Sequence, residues 1–162
     1  MKRLKYIRLF NESFDFDVEK DLIKNICFDI TDENFYIEIR EEETDDPNKK
    51  FILVRIHYKL NPDDPIYHTQ RLYHIPMSSN YTYEWNSVKY TIARLIDVML
   101  ELPHISLYML TYIKLLDEDI QYRKEFIYSK ADGDIEIPKV DYLDINDDIQ
   151  FVDIAFLKKK SP

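Results

Sequence analysis

The chain alternates between two hydrophobic periods, and each change of period marks an element. Apolar side chains fall at Val18, Leu22, Ile23, Ile26, Cys27 and Ile30. Steps of three and four residues gather them on one side of a helix, with Asp17 as its N-cap. At FYIEIREE the period drops to two. Phe35, Ile37 and Ile39 alternate with Tyr36, Glu38 and Arg40, which is strand spacing. The charged run EEETDDPNKK reads as a loop. FILVRIHYKL is the strongest strand, with Ile52, Val54, Ile56, Tyr58 and Leu60 on one face and Phe51, Leu53, Arg55 and His57 on the other. NPDDP is rich in turn formers, and TQRLYHIP reads as a third strand. EWNSVKYTIARLIDVMLEL is the best helix: Trp85, Val88, Ile92, Leu95, Ile96 and Met99 form its stripe, and it stops ahead of Pro103.

ISLYMLTYIKLL fits either period. IQYRKEFIYS and DIEIP flank KADG, a hairpin turn closed by Gly133. IQFVDIAFL reads as a last strand before the basic KKKSP. The pattern predicts an α+β domain: an antiparallel sheet with two helices on one face, in α-β-β-β-α order, plus a β-rich C-terminal extension. The organisation that follows is a basic N-terminal peptide (1–12), an α+β core (13–102), an extension of the same domain (103–157) and a basic tail (158–162). Double-stranded-RNA-binding domains share that element order, but they grip phosphates with a basic second-helix N-terminus. Here that terminus reads Tyr83, Glu84, Trp85, Asn86.

Composition narrows the chemistry. With 162 residues, 45% hydrophobic and 33% charged, the chain is a globular domain able to bury its own core. Its single glycine excludes Gly-rich phosphate loops. The 13 tyrosines accompany a bias to Ile, Lys, Asp and Glu that an AT-rich genome produces, so they do not by themselves imply a binding surface. One cysteine, Cys27 between Ile26 and Phe28, rules out an intramolecular disulfide and reads as a buried, inert thiol. No apolar run reaches the roughly 18 residues of a membrane span, and the first ten residues are too short and basic for a secretory signal.

Charge divides the chain unevenly. Lys2, Arg3, Lys5 and Arg8 against Glu12 give residues 1–12 a charge of +3; the whole is -9, so the remainder is -12. An acidic body disfavours direct nucleic-acid binding and suits a basic protein partner.

The residues that carry chemistry are scattered. His57 and His74 fall on adjacent expected strands, with His68 at the start of the second, and Glu38 or Asp64 could complete a metal site. No two of the four histidines, His104 included, have ligand spacing. The acidic groups Glu41–Glu43 with Asp45 and Asp46, Asp63 with Asp64, and Asp147 with Asp148 read as solvated loops. Asp132, Gly133, Asp134 and Glu136 lack the spacing of a calcium loop. Ser78 and Ser79 sit in no nucleophile frame. Tyr81, Tyr83 and Trp85 form either a docking patch or, with Trp85 heading the helix stripe, a core plug.

Two stretches resemble a known group. KYIRLFNESF resembles the N-terminal peptide, often written like K-x-I-K-L-F-E-x-F, of many small, mostly uncharacterised proteins of large tailed bacteriophages. YEWNSVKYTIARLIDVML resembles a segment that recurs in some of them. The likeness covers residues 1 to about 100. In T-even-like phages, short leaders direct internal proteins into the prohead and are clipped after an apolar residue, any residue and Glu. Phe10, Asn11, Glu12 and Ser13 look like such a site, with Phe10 where Leu or Ile is more typical. The resemblance implies a non-enzymatic protein, virion-associated or packaged, whose partner meets Leu4, Ile7, Leu9 and Phe10 under steering by Lys2, Arg3, Lys5 and Arg8. Glu12 and Ser13 would flank the cut. No catalytic residue, metal or cofactor is expected, the partner is a virion or host protein rather than a membrane, and the location is the virion or host cytoplasm. The alternative is an anti-defence or host-takeover factor whose acidic surface occupies a basic site on a host protein. A third reading is a metal-dependent enzyme around His57 and His74.

Overall fold

The computed structural model describes residues 16–60, 63, 71–72, 75–76, 81–117, 120–129, 145 and 148–159. Among them are α1 (Phe16–Ile26), α2 (Phe28–Thr31), β1 (Phe35–Glu43), β2 (Lys49–Tyr58), β3 (Arg71–Leu72), β4 (Ile75–Pro76), β5 (Tyr83–Glu84), α3 (Lys89–Glu101), β6 (Ile105–Asp117), β7 (Ile120–Ser129) and β8 (Asp148–Lys159). Six strands form one antiparallel sheet in the order β1-β2-β8-β6-β7, with β5 also paired to β8.

This order overturns the expected α-β-β-β-α layout. The stretch TQRLYHIP does not supply a third sheet strand: β3 and β4, which fall within it, pair with each other as a separate two-stranded sheet. The central place goes instead to β8, from the far end of the chain. Nor is the C-terminal part an extension, because β6, β7 and β8 make up most of the same sheet. The physical reason lies in two-sided burial. A central strand must be apolar on both faces, and IQFVDIAFL is a nearly unbroken apolar run. Phe151, Val152, Ile154, Ala155 and Phe156 are all buried. TQRLYHIP offers polar residues and Pro76, which cannot donate to a ladder.

One hydrophobic core lies between one face of the sheet and the helices. Ile52, Val54 and Ile56 from β2, Ile154 and Phe156 from β8, and Tyr108 and Leu110 from β6 meet Ile23 and Ile26 from α1 and Ile92, Leu95, Ile96 and Met99 from α3. Full burial of each such aliphatic side chain is worth about 1.5–3 kcal/mol. Trp85 opens the helix stripe in a short 3-10 turn (Trp85–Ser87) ahead of α3 and is buried, as are Tyr81 and Tyr83. The three aromatics are therefore interior. Tyr83 donates its hydroxyl hydrogen bond to the Ile56 carbonyl at 2.6 Å, tying the lead-in of α3 to the sheet. The N-terminal helical stretch breaks at Cys27, and Arg94 of α3 clasps the break, donating to the Ile26 carbonyl and pairing with Asp29 at 3.6 Å. Asn34 has φ 69°, a left-handed conformation that Asn tolerates, and it turns the chain into β1.

The charged run 41–50 is shorter as a loop than its composition predicts. Strands continue to Glu43 and resume at Lys49. The turn closes because Asp46 accepts from the Asn48 amide at 2.9 Å while its carbonyl accepts from the Lys49 amide at 3.0 Å.

Candidate functional site

The described helices pack on one face of the sheet. On the opposite face, antiparallel register sets side chains in rows, because directly opposed residues point the same way. One row runs Arg40, Leu53, Ala155, Met109, Ile127 across β1, β2, β8, β6 and β7. The next runs Glu38, Arg55, Asp153, Thr111, Glu125. On the other side of the apolar row lie Glu42, Phe51, Leu157, Leu107 and Ser129. The result is an apolar band with a charged row along one side and charged residues at its β1 end. Phe51, Leu53, Leu107, Met109 and Leu157 are only half-buried, and Ile127 is 63% exposed. A hollow of about 210 Å³ opens here, lined among others by Arg40, Arg55, Met109, Thr111, Arg123 and Asp153.

The charges of this face are matched in its own plane. Arg55 grips Asp153 bidentately, Nε to Oδ1 and Nη2 to Oδ2 both at 2.7 Å, the fork geometry that guanidinium and carboxylate share. Its guanidinium also lies 4.6 Å from the ring centroid of Phe151. Arg40 bridges Glu38 at 3.2 Å and Glu42 at 3.5 Å, and Arg123 pairs with Glu125. Strand alternation alone placed Leu53, Arg55 and His57 together on this face. The partner of Arg55 was not legible, since Asp153 lies 98 residues away in sequence.

His57, the best placed of the expected metal ligands, is buried, and its Nδ1–H donates to the Tyr58 carbonyl at 2.6 Å. Burial holds its imidazole below the ordinary 6.5, against the opposing effect of that hydrogen bond. His68, His74 and Asp64 lie outside the described residues. Among the described residues no group of three or more His, Cys, Asp or Glu could hold a metal ion. The Asp132–Glu136 run, Ser78 and Ser79 lie outside them too. So do all the expected partner-contact residues (Lys2, Arg3, Leu4, Lys5, Ile7, Arg8, Leu9 and Phe10) and the cut site at Glu12 and Ser13.

A second polar constellation was missed in sequence. Glu19 of α1 is fully buried; its Oε2 accepts from Lys158 Nζ at 3.0 Å and its Oε1 lies 2.9 Å from His104 Nε2. Lys158 also reaches Glu41 at 2.6 Å, and Glu41 in turn meets Lys50 at 3.0 Å. Burial pushes the Glu41 carboxyl up, but hydrogen bonds from Lys158 and Lys50 outweigh it and hold the group below the usual 4.5. Glu41 and Lys158 were read as a solvated loop and a basic tail. The available signal was the alternation Val152, Ile154, Phe156, Lys158, which points the lysine inward. Enclosed as it is, this network joins α1, β1, β2, β8 and the turn before β6 and acts as a staple.

Among the described residues no helix is long and apolar enough to cross a membrane. No family model, curated protein or solved structure matches the chain.

Proposed function

We propose that this is a non-enzymatic binding protein of a large tailed bacteriophage, carried on the virion or packaged in it. Its partner is a protein with an apolar patch and a basic rim. Residues 1–12 are the address, with Leu4, Ile7, Leu9 and Phe10 as apolar contacts and the four basic side chains steering. The half-buried apolar band on the sheet face opposite the described helices is the second contact.

The observation that carries the reading is the makeup of that face. A half-buried apolar band ending in the exposed Ile127, with charged residues along one side, has the makeup of a protein interface core. The rim charges engage one another, which suits them to orient a partner rather than to move protons. The body charge of -12 favours a basic partner rather than a nucleic acid.

Mass spectrometry of purified particles tests this. A peptide beginning at Ser13 identifies a clipped leader, and one beginning at Met1 identifies a permanent contact. Met109→Glu with Ile127→Glu should then abolish particle association without loss of fold. Absence from particles overturns the virion reading. The body charge favours, as second reading, a host protein whose basic site this chain occupies, with binding that weakens steeply as salt rises.

A further inference from the structure

The hollow of about 210 Å³ on the sheet face opposite the core is lined by described residues alone, and its polar groups do not balance. Two carboxylates line it, and each has a guanidinium of its own in the lining: Asp153 is gripped by Arg55, and Glu42 pairs with Arg40 at 3.5 Å. Arg123 is the third guanidinium of the lining, and its partner Glu125 stands outside it. One positive charge is left over. Thr111 lines the hollow too; it is only 5% exposed, and among the described residues its hydroxyl has no hydrogen-bond partner. We propose that the hollow binds a small organic monocarboxylate, with its head on Thr111 and Arg123 and its apolar chain across Met109, Ala155 and Leu53. This goes beyond the reading of the face as a protein contact and does not depend on it.

The lining sets the shape of the ligand. Leu53, Ala155 and Met109 stand in one row across β2, β8 and β6. Neighbouring strands lie about 4.8 Å apart, so this row is about 10 Å long, near the length of an extended six-carbon chain. At its β6 end comes Thr111, two residues along the same strand and therefore on the same face. Thr111 faces Glu125 in the ladder, and Arg123 stands two residues from Glu125 on β7. Hydroxyl and guanidinium thus flank one end of the row, while Arg40 and Glu42 close the other from β1. A volume of about 210 Å³ holds about seven waters at ~30 Å³ each, which suits a small organic acid and is too little for a nucleotide.

Charge selects a monoanion. The Thr111 hydroxyl donates to one carboxylate oxygen, and the Arg123 fork donates to the other. The acids nearby are Asp153, Glu42, Glu38 and Glu125. Asp153 is answered by two bonds of 2.7 Å from Arg55, and Glu38 and Glu42 share Arg40. Glu125 competes for Arg123, but both side chains are exposed, and such pairs contribute little. A guanidinium has five N–H donors, so a carboxylate anchored by its apolar chain can share it with Glu125. A dianion would set its second charge against Glu125 and Asp153.

Titration of the full chain with sodium hexanoate at constant ionic strength, followed by amide and methionine-methyl NMR shifts, tests the site. Saturable shifts centred on Met109, Thr111, Arg123 and Ala155 are expected, with a Kd on the order of 1 mM for so small a ligand. Hexanol lacks the charge and acetate lacks the chain, so each should bind about tenfold more weakly or worse. Thr111→Val removes a hydroxyl without changing side-chain size, and Arg123→Gln alters an exposed residue, so both should fold; each should weaken hexanoate by about fivefold or more. Glu125→Gln removes the competitor for Arg123 and should tighten it. The absence of saturable shifts up to about 20 mM, well above that Kd, overturns the proposal. So do shifts centred elsewhere, hexanol binding as tightly as hexanoate, or folded Thr111→Val and Arg123→Gln variants that bind unchanged. Particle association is a separate readout, so failure here and failure of the protein-contact reading are distinguishable.

Discussion

Replacing Lys158 by Met removes a positive charge from a place water does not reach. The ammonium is 1% exposed, and the Glu19 carboxylate it serves is 0% exposed. Met keeps the apolar stem and nearly the same volume, so packing against the β8 neighbours survives. What changes is that Glu19 loses its cation and keeps only the contact to His104. Glu41 suffers less, because it is part-exposed and retains Lys50. Stranding a buried carboxylate in this way costs about 3–5 kcal/mol. That is about a fifth or more of the total stability of an ordinary domain, roughly 5–15 kcal/mol. At about 3 °C per kcal/mol for a chain of this length, the midpoint should fall by roughly 10–15 °C. Urea unfolding at neutral pH measures the loss directly, provided the slope against denaturant is unchanged. The double variant Glu19→Gln/Lys158→Met removes the stranded charge as well. It should be more stable than Lys158→Met alone by about 1–3 kcal/mol. A single-variant loss below about 1 kcal/mol, the range of exposed ion pairs, would refute the reasoning. Strict additivity of the two changes would refute it too.

Other expectations follow from the same geometry. Asp153→Ala leaves the buried Arg55 guanidinium without its fork partner and should cost about 2–4 kcal/mol in urea unfolding, somewhat below a fully enclosed pair because Asp153 is 18% exposed. His57 is held below its ordinary 6.5, chiefly by burial, so the unfolded chain takes up that proton first. Its contribution to stability declines as pH falls through 6.5 and levels off below the folded value, and His57→Gln should flatten this part of the profile. Glu41 is also held low, below 4.5. Its stabilising contribution is present above that value and is lost as pH falls through the folded one, so Glu41→Gln should reduce the acid sensitivity of urea midpoints. Burial pushes the Cys27 thiol up to about 12. A thiol reagent at pH 8 should therefore label native protein only as fast as it unfolds, and rapid labelling of the folded chain would contradict the buried assignment.

Local pattern and long-range pairing contributed differently to this molecule. Periodicity was enough to mark β1, β2, α3 and the last strand, because amphipathic spacing reports which side of an element meets the core. It also separated the two faces of β2, and so put Leu53, Arg55 and His57 together on the face opposite the core. It marked Cys27 as interior, while Trp85 could be read as core or as docking patch until the structure buried it. The order of strands was beyond its reach. β8 sits between β2 and β6 although a stretch closer to β2 in sequence also has strand character, and the choice rests on which segment can be apolar on both faces at once. That is a property of the assembled sheet, weighed across the whole chain. The charged groups show the same division. Glu19, Glu41, His104 and Lys158 look like ordinary surface residues in their own segments. They become one network, buried except at the part-exposed Glu41, because α1, β1, β8 and the turn before β6 converge. Sequence alone determined which faces are apolar and where charge is carried; tertiary structure decided which of those charges meet out of reach of water, since burial and pairing depend on segments that only folding brings together.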